Sequence, residues 1–120
     1  MASSARADIL EAADHLFGRI GFDAASTREI AEASGVNKAL IHYHFGNKDE
    51  LFGAVLDRYY GELDTALRGA LTQPGSVRGR LARVLDVYLD FLADHPSFSR
   101  IVQREAAGGR HLERIVGHMT

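Results

Sequence analysis

Between Ser26 and Lys48 the chain reads STREIAEASGVNKALIHYHFGNK, and few conformations are open to that order of residues. Ser26 and Glu29 have the S-x-x-E spacing of a capping box, in which the hydroxyl and the carboxylate each satisfy a free backbone N–H at a helix start. The spacing predicts a helix over Thr27 to Ala33. Ser34-Gly35 stops it, because glycine enters the left-handed conformation after a helix end without a Cβ penalty. Asn37 can cap a second helix from Lys38 to Phe45. The result is two short helices joined by one glycine turn.

Capped helix pairs of this kind are common in helical proteins, and two helices with a three- to four-residue glycine turn also match the helix-turn-helix motif. In that motif the second helix lies in the major groove of DNA. Residue identities favour the second reading. TREIAEASGVNKALIHYHFGNKDELF resembles the DNA-binding domain of the TetR family of bacterial transcriptional repressors. The resemblance covers Ile9 to about Leu56, including the LFGRIGFDAAST run, the AEASGV turn, the YHF end of the second helix and the NKDEL start of the next. Beyond Leu56 it is architectural only.

The remainder of the chain predicts helices throughout. Ile9, Leu10, Ala13, Leu16, Phe17 and Ile20 recur at helical spacing, so Ser4 to Arg19 is expected to be a first helix, ended by Gly21, with Phe22 joining the same core. Ile30, Ala31, Val36, Ile41 and Phe45 supply inner faces for the two motif helices, which completes a three-helix cluster. Asn47 and Glu50 repeat the capping-box spacing. From there Leu51, Phe52, Val55, Leu56, Tyr59, Tyr60, Leu63, Ala66, Leu67, Ala70 and Leu71 form an i, i+3, i+4 series, a helix of some 36 Å at 1.5 Å per residue.

Gln73-Pro74-Gly75-Ser76 is the clearest break. Between Val77 and Asp94, Leu81, Val84, Leu85, Val87, Tyr88, Leu89, Phe91 and Leu92 spread around more than one face, which predicts a helix buried on several sides. Pro96 suits a helix N1 position, and a short helix is expected to end at Gly108-Gly109. Leu112, Ile115, Val116 and Met119 give a last amphipathic piece. With no strand-like alternation, the expected class is all-α. Residues 1–48 are expected to form the helix-turn-helix domain, a long helix from about 48 to 72 to link the halves, and 49–120 to form a partial, truncated helical domain for ligand binding and dimerisation.

Composition narrows the function. The chain has 46% hydrophobic and 25% charged residues, near globular averages, and no run approaching a membrane span. Asp8, Glu11 and Asp14 stand among the apolar residues of the first helix, which suits an amphipathic helix and not a signal peptide, and there is no cysteine, so a cytoplasmic (bacterial, nucleoid-associated) protein is expected. The net charge of −2 argues against a protein that coats nucleic acid by bulk charge. Charge distribution says more. Val36 to Lys48 holds two lysines, two histidines and no acid, a locally basic tip on an acidic body that can dock on phosphate with few ionic contacts.

At 100° per residue, Ile41 and Phe45 point inward and Ala39, Leu40 and Tyr43 point the opposite way, toward a groove. Ala39 and Leu40 suit thymine methyl groups, with a core position the lesser alternative for Leu40, and Tyr43 can reach sugar or phosphate. Lys38, His42 and His44 flank that face, and Asn37 stands at its start. Arg28 has the donors to read guanine O6 and N7, and in the resembled family its position often approaches a base. Thr27 and Lys48, each at a helix start, are placed to bind phosphate.

His42 and His44, two apart on a helix, cannot clamp one metal ion, and His111 with His118 is a weak metal signal. No G-x-S-x-G, phosphate loop or Glu-x-x-His cluster points to an enzyme, and no cofactor is expected. The resemblance implies a repressor that binds palindromic double-stranded DNA as a homodimer and is released by a small-molecule effector. The family's regulatory domain has more helices than a chain ending at Thr120 supplies, so a fragment is expected. The alternative is a helical dimerisation or interaction module that does not read DNA.

Overall fold

The computed structural model describes residues 4–107, and the amphipathic piece expected over Leu112 to Met119 lies outside them. Six helices follow one another among the described residues: α1 (Ala5–Ile20), α2 (Thr27–Ser34), α3 (Lys38–Phe45), α4 (Lys48–Thr72), α5 (Val77–Asp94) and α6 (Pro96–Ala106). Among the described residues none is long and apolar enough to cross a membrane.

Helix ends fall where side chains can close them. Ser4 accepts a hydrogen bond from the Ala7 N–H at 3.1 Å, Asn47 from Glu50 at 2.8 Å and Ser76 from Gly79 at 3.1 Å. The turn between α4 and α5 is held from above by Arg83, whose Nη2 donates to the carbonyls of Gln73 and Pro74, both at 3.1 Å.

One continuous core joins α1, α2, α3 and the first half of α4. Ile9, Phe17, Ile30, Ile41, Leu51, Phe52, Val55 and Leu56 are buried to within 1% of full enclosure, as periodicity predicted. Three rings form its centre: Phe52 meets Phe17 edge-on at 5.1 Å and Phe22 at 5.2 Å, a geometry favoured by the ring quadrupoles. The loop residue Phe22 therefore belongs to this core.

Further along, α4 packs on α5, and α6 turns back to lie on α1. Gly18 of α1 allows that approach, since a Cβ there would stand 2.5 Å from the Ser97 hydroxyl oxygen of α6. Arg104 of α6 donates to the carbonyls of Gly18 at 3.2 Å and Arg19 at 2.6 Å, satisfying acceptors that the end of α1 leaves open.

One expectation fails in α5. That helix is not buried on several sides: Phe91 alone is fully buried, while Val77, Leu81, Leu85 and Leu89 are 53 to 75% exposed. The cause is positional. Tyr88, Phe91 and Leu92 turn toward the core, and the i, i+4 row Val77, Leu81, Leu85 and Leu89 faces away from both α4 and α6. Leu71, near the end of α4, is likewise 53% exposed.

Candidate nucleic-acid interface

The start of α2 is set by a complete capping box. The Ser26 hydroxyl accepts from the Glu29 N–H at 3.0 Å, and the Ser26 N–H donates to the Glu29 carboxylate at 3.2 Å. At the other end Gly35 adopts φ 71°, ψ 22°, and the Val36 N–H reaches back to the Ala31 carbonyl at 3.2 Å. This left-handed glycine gives the turn its sharpness. Asn37 then opens α3, its side chain accepting from the Ala39 N–H at 2.9 Å. That oxygen is committed to the cap, and the amide NH2 of Asn37 is its remaining donor.

Ile41 anchors α3 with 0% exposure, and the opposite face stands in solvent. Tyr43 is 80% exposed, Leu40 lies at 36%, and Ala39 is open beside them, so the three residues expected on one outward face do share it. An exposed tyrosine of this kind buries little hydrophobic area in the free protein. Lys38 and His42 are exposed on the flanks and His44 is half-buried, its ring edge-on to Tyr43 at 5.0 Å.

His42 lies 2.7 Å through Nδ1 from the Gly46 carbonyl. A carbonyl only accepts, so Nδ1 carries the proton and donates. Nε2 is left as an acceptor in the neutral ring and a donor in the imidazolium.

The first motif helix contributes two more of the expected residues. Thr27, at its first position, is half-buried. Arg28 is exposed and pairs through Nε with Glu32 at 3.3 Å. An exposed i, i+4 pair of this type contributes only about 0.3–0.5 kcal/mol, little enough for a stronger partner to displace it.

Lys48 behaves differently from a free surface cation. Its ammonium donates to the carbonyls of Phe22 at 2.8 Å and Ala25 at 3.0 Å, and sits 4.2 Å from the centre of the Phe22 ring. Two of its three N–H donors thus tie the start of α4 to the loop between α1 and α2. One remains for an external acceptor. Sequence reasoning read Lys48 only outward, because a contact across 26 residues leaves no local signature.

It also passed over Arg6, whose guanidinium lies 5.1 Å from the ring centre of Phe45, the last residue of α3. No motif spacing links the two positions.

An all-helical chain whose capped second helix buries one face and leaves a tyrosine-bearing face bare has the make-up of the helix-turn-helix class. Its residues 9–55 match the family described as bacterial regulatory proteins, tetR family. The chain belongs to that family. Among curated proteins, the HTH-type transcriptional activator FasR of Mycolicibacterium smegmatis is 37% identical over 92 residues, which are 77% of this chain and 42% of FasR. The HTH-type transcriptional repressor NicS of Pseudomonas putida is 31% identical over 107 residues, 87% of this chain and 49% of NicS. The chain therefore spans about half the length of the curated relatives it matches. A crystal structure of a TetR-like transcriptional regulator from Rhodococcus superposes with a TM-score of 0.80 at 27% identity, over 99% of this chain and 63% of that one.

Proposed function

We propose that the chain is the DNA-reading part of a transcriptional regulator that binds a palindromic operator as a homodimer. Supporting this most directly is the outer face of α3, where Tyr43 is 80% exposed directly opposite the enclosed Ile41. Ala39 and Leu40 would contact thymine methyl groups, and Arg28, exchanging Glu32 for a base, would read guanine. Thr27, Asn37, Lys38, His42, Tyr43, His44 and the remaining donor of Lys48 would hold phosphates on either side. Residues 1–48 would be the reading unit and 49–120 part of a regulatory domain, acting in the bacterial cytoplasm. A small-molecule effector would bind in the full-length protein and release the operator, in which case the regulator acts as a repressor.

Selection of bound duplexes from a random pool tests the reading. A recurring half-site, alone or as an inverted repeat, is expected. Arg28→Ala should then weaken that site by about 1–3 kcal/mol and relax preference at one base pair per half-site. A pool that returns no common sequence would leave a helical interaction module as the better description.

A further inference from the structure

We propose that Arg6, outside the helix-turn-helix, is an additional phosphate contact that carries the DNA interface onto α1. The inference rests on the DNA-binding reading above and adds a residue to it.

Arg6 stands on the first turn of α1, and packing brings that turn beside the last turn of α3. Its guanidinium is exposed and is stationed against the Phe45 ring at 5.1 Å. Contact with a ring draws on the charge and the flat face of a guanidinium, while the five N–H donors lie in its plane. The ring therefore fixes where the cation sits without consuming its hydrogen bonds. A planar fork of donors held in this way matches the oxygens of a phosphate.

The surroundings give the contact a direction. Arg6 lines one hollow together with His44 and Phe45 of α3 and with Glu50, Gly53, Ala54 and Asp57 of α4. The two basic groups, Arg6 and His44, border the recognition helix, whereas the carboxylates of Glu50 and Asp57 belong to α4. An approaching polyanion is drawn to the α3 side of the hollow and repelled from the other. When α3 lies in a major groove, the backbone passes along its flanks, and the end of α3 is where Arg6 is tethered. The contact would position the protein without reading sequence.

The test is a salt titration of the 120-residue chain on a short duplex of mixed sequence, comparing the natural protein with Arg6→Gln and Arg6→Lys. Loss of one phosphate contact lowers the slope of log K against log salt by about 0.9, which at 0.15 M salt corresponds to about fivefold weaker binding. Arg6→Gln should show that lower slope and Arg6→Lys should keep the natural one. Weaker binding with an unchanged slope would mean that Arg6 only braces Phe45, and would overturn the proposal while leaving DNA binding in place. An unchanged affinity would overturn it equally. If the natural chain itself shows no salt-dependent binding, the DNA-binding reading falls and the Arg6 contact falls with it. Circular dichroism melts of all three proteins separate a folding defect from a lost contact, since the salt slope is compared only among folded chains.

Discussion

Replacing Asp14 should loosen the molecule more than any surface position suggests, because its carboxylate joins three helices. Oδ2 accepts from the Tyr59 hydroxyl of α4 in a short hydrogen bond and from Arg58 Nη2 at 3.3 Å. Oδ1 lies 2.7 Å from the Ser97 hydroxyl of α6, whose single proton also has the Asp14 carbonyl within 3.0 Å. The Asp14 side chain is 14% exposed and that of Arg58 40%, so the arginine adds little and the two hydroxyls carry the effect. Hydrogen bonds to a charged acceptor contribute about 1.5–3 kcal/mol each, but members of one network do not add. Asp14→Ala removes the carboxylate from both hydroxyls: that of Ser97 keeps the main-chain carbonyl of residue 14 at 3.0 Å, while that of Tyr59, a residue 8% exposed, loses its Asp14 partner. A loss of about 3 kcal/mol is expected, or some 15 °C in Tm for a chain of this size. Asp14→Asn keeps one acceptor oxygen and should lose about half as much. Urea unfolding followed by circular dichroism measures both, and a double-mutant cycle with Ser97→Ala should give a coupling above about 0.5 kcal/mol. A loss below about 1 kcal/mol for Asp14→Ala, with no coupling to Ser97, would refute the three-helix node.

One substitution at two glycines should act with opposite sign. Gly18→Ala places a Cβ 2.5 Å from the Ser97 Oγ and 3.2 Å from its backbone oxygen, so despite better helix propensity it should destabilise by about 1–3 kcal/mol in thermal melts. Gly61→Ala in α4 meets no atom within 4 Å and should stabilise by about 0.5–1 kcal/mol. Burial, with Tyr88 and Asp57 adding to it, pushes the Tyr60 hydroxyl up from 10.0 to about 12. A raised value means that the folded state holds the proton more tightly, so this contribution is complete below pH 10 and lost as pH rises through 12. Tyr60→Phe should therefore make the alkaline fall in stability shallower, and an unchanged fall would exclude Tyr60 as a source. The bare row on α5 should bind a hydrophobic dye and promote concentration-dependent association, both reduced by Leu81→Gln with Leu85→Gln; equal dye binding by the double variant would place the sticky surface elsewhere.

Local signals were legible in proportion to how local their physics is. Ser26 with Glu29, Gly35 and Asn37 act within four residues of themselves, and the structure has α2, the turn and α3 where their spacing put them. Ile41 enclosed and Tyr43 bare follow from helical periodicity alone. The second capping pair acts as locally: the Asn47 side chain accepts from the Glu50 N–H, as its position predicts. Periodicity failed on α5 because apolar residues on several faces say that a helix has apolar surface, and nothing about which partners the chain supplies to cover it. Partnerships across the fold were also hidden. Asp14 read as an acid interrupting a hydrophobic segment, whereas its partners are 45 and 83 residues away. Lys48 read as an outward cation because the two carbonyls that hold it come from a loop whose path only the packed core determines.

These long-range ties decide how the two ends of the molecule can move together. On α4, Lys48 is clamped to the loop before α2 and Tyr59 to Asp14, two points about 16 Å apart along the helix, with Leu51, Phe52, Val55 and Leu56 buried between them. The first half of α4 is thus an integral part of the three-helix unit that carries α3, and a close-packed interface of this kind shifts between discrete arrangements and does not slide. Past Tyr59 the helix leaves that unit and packs on α5, while α6 holds α1 through Ser97 and Arg104. A displacement that begins around α5 would accordingly have two routes to α3, α4 and α6, and would turn the unit as a body. In the proposed dimer such a turn changes the spacing of the two recognition helices, which must match major grooves about 34 Å apart. An effector would drive it only to the extent that it binds one spacing more tightly than the other.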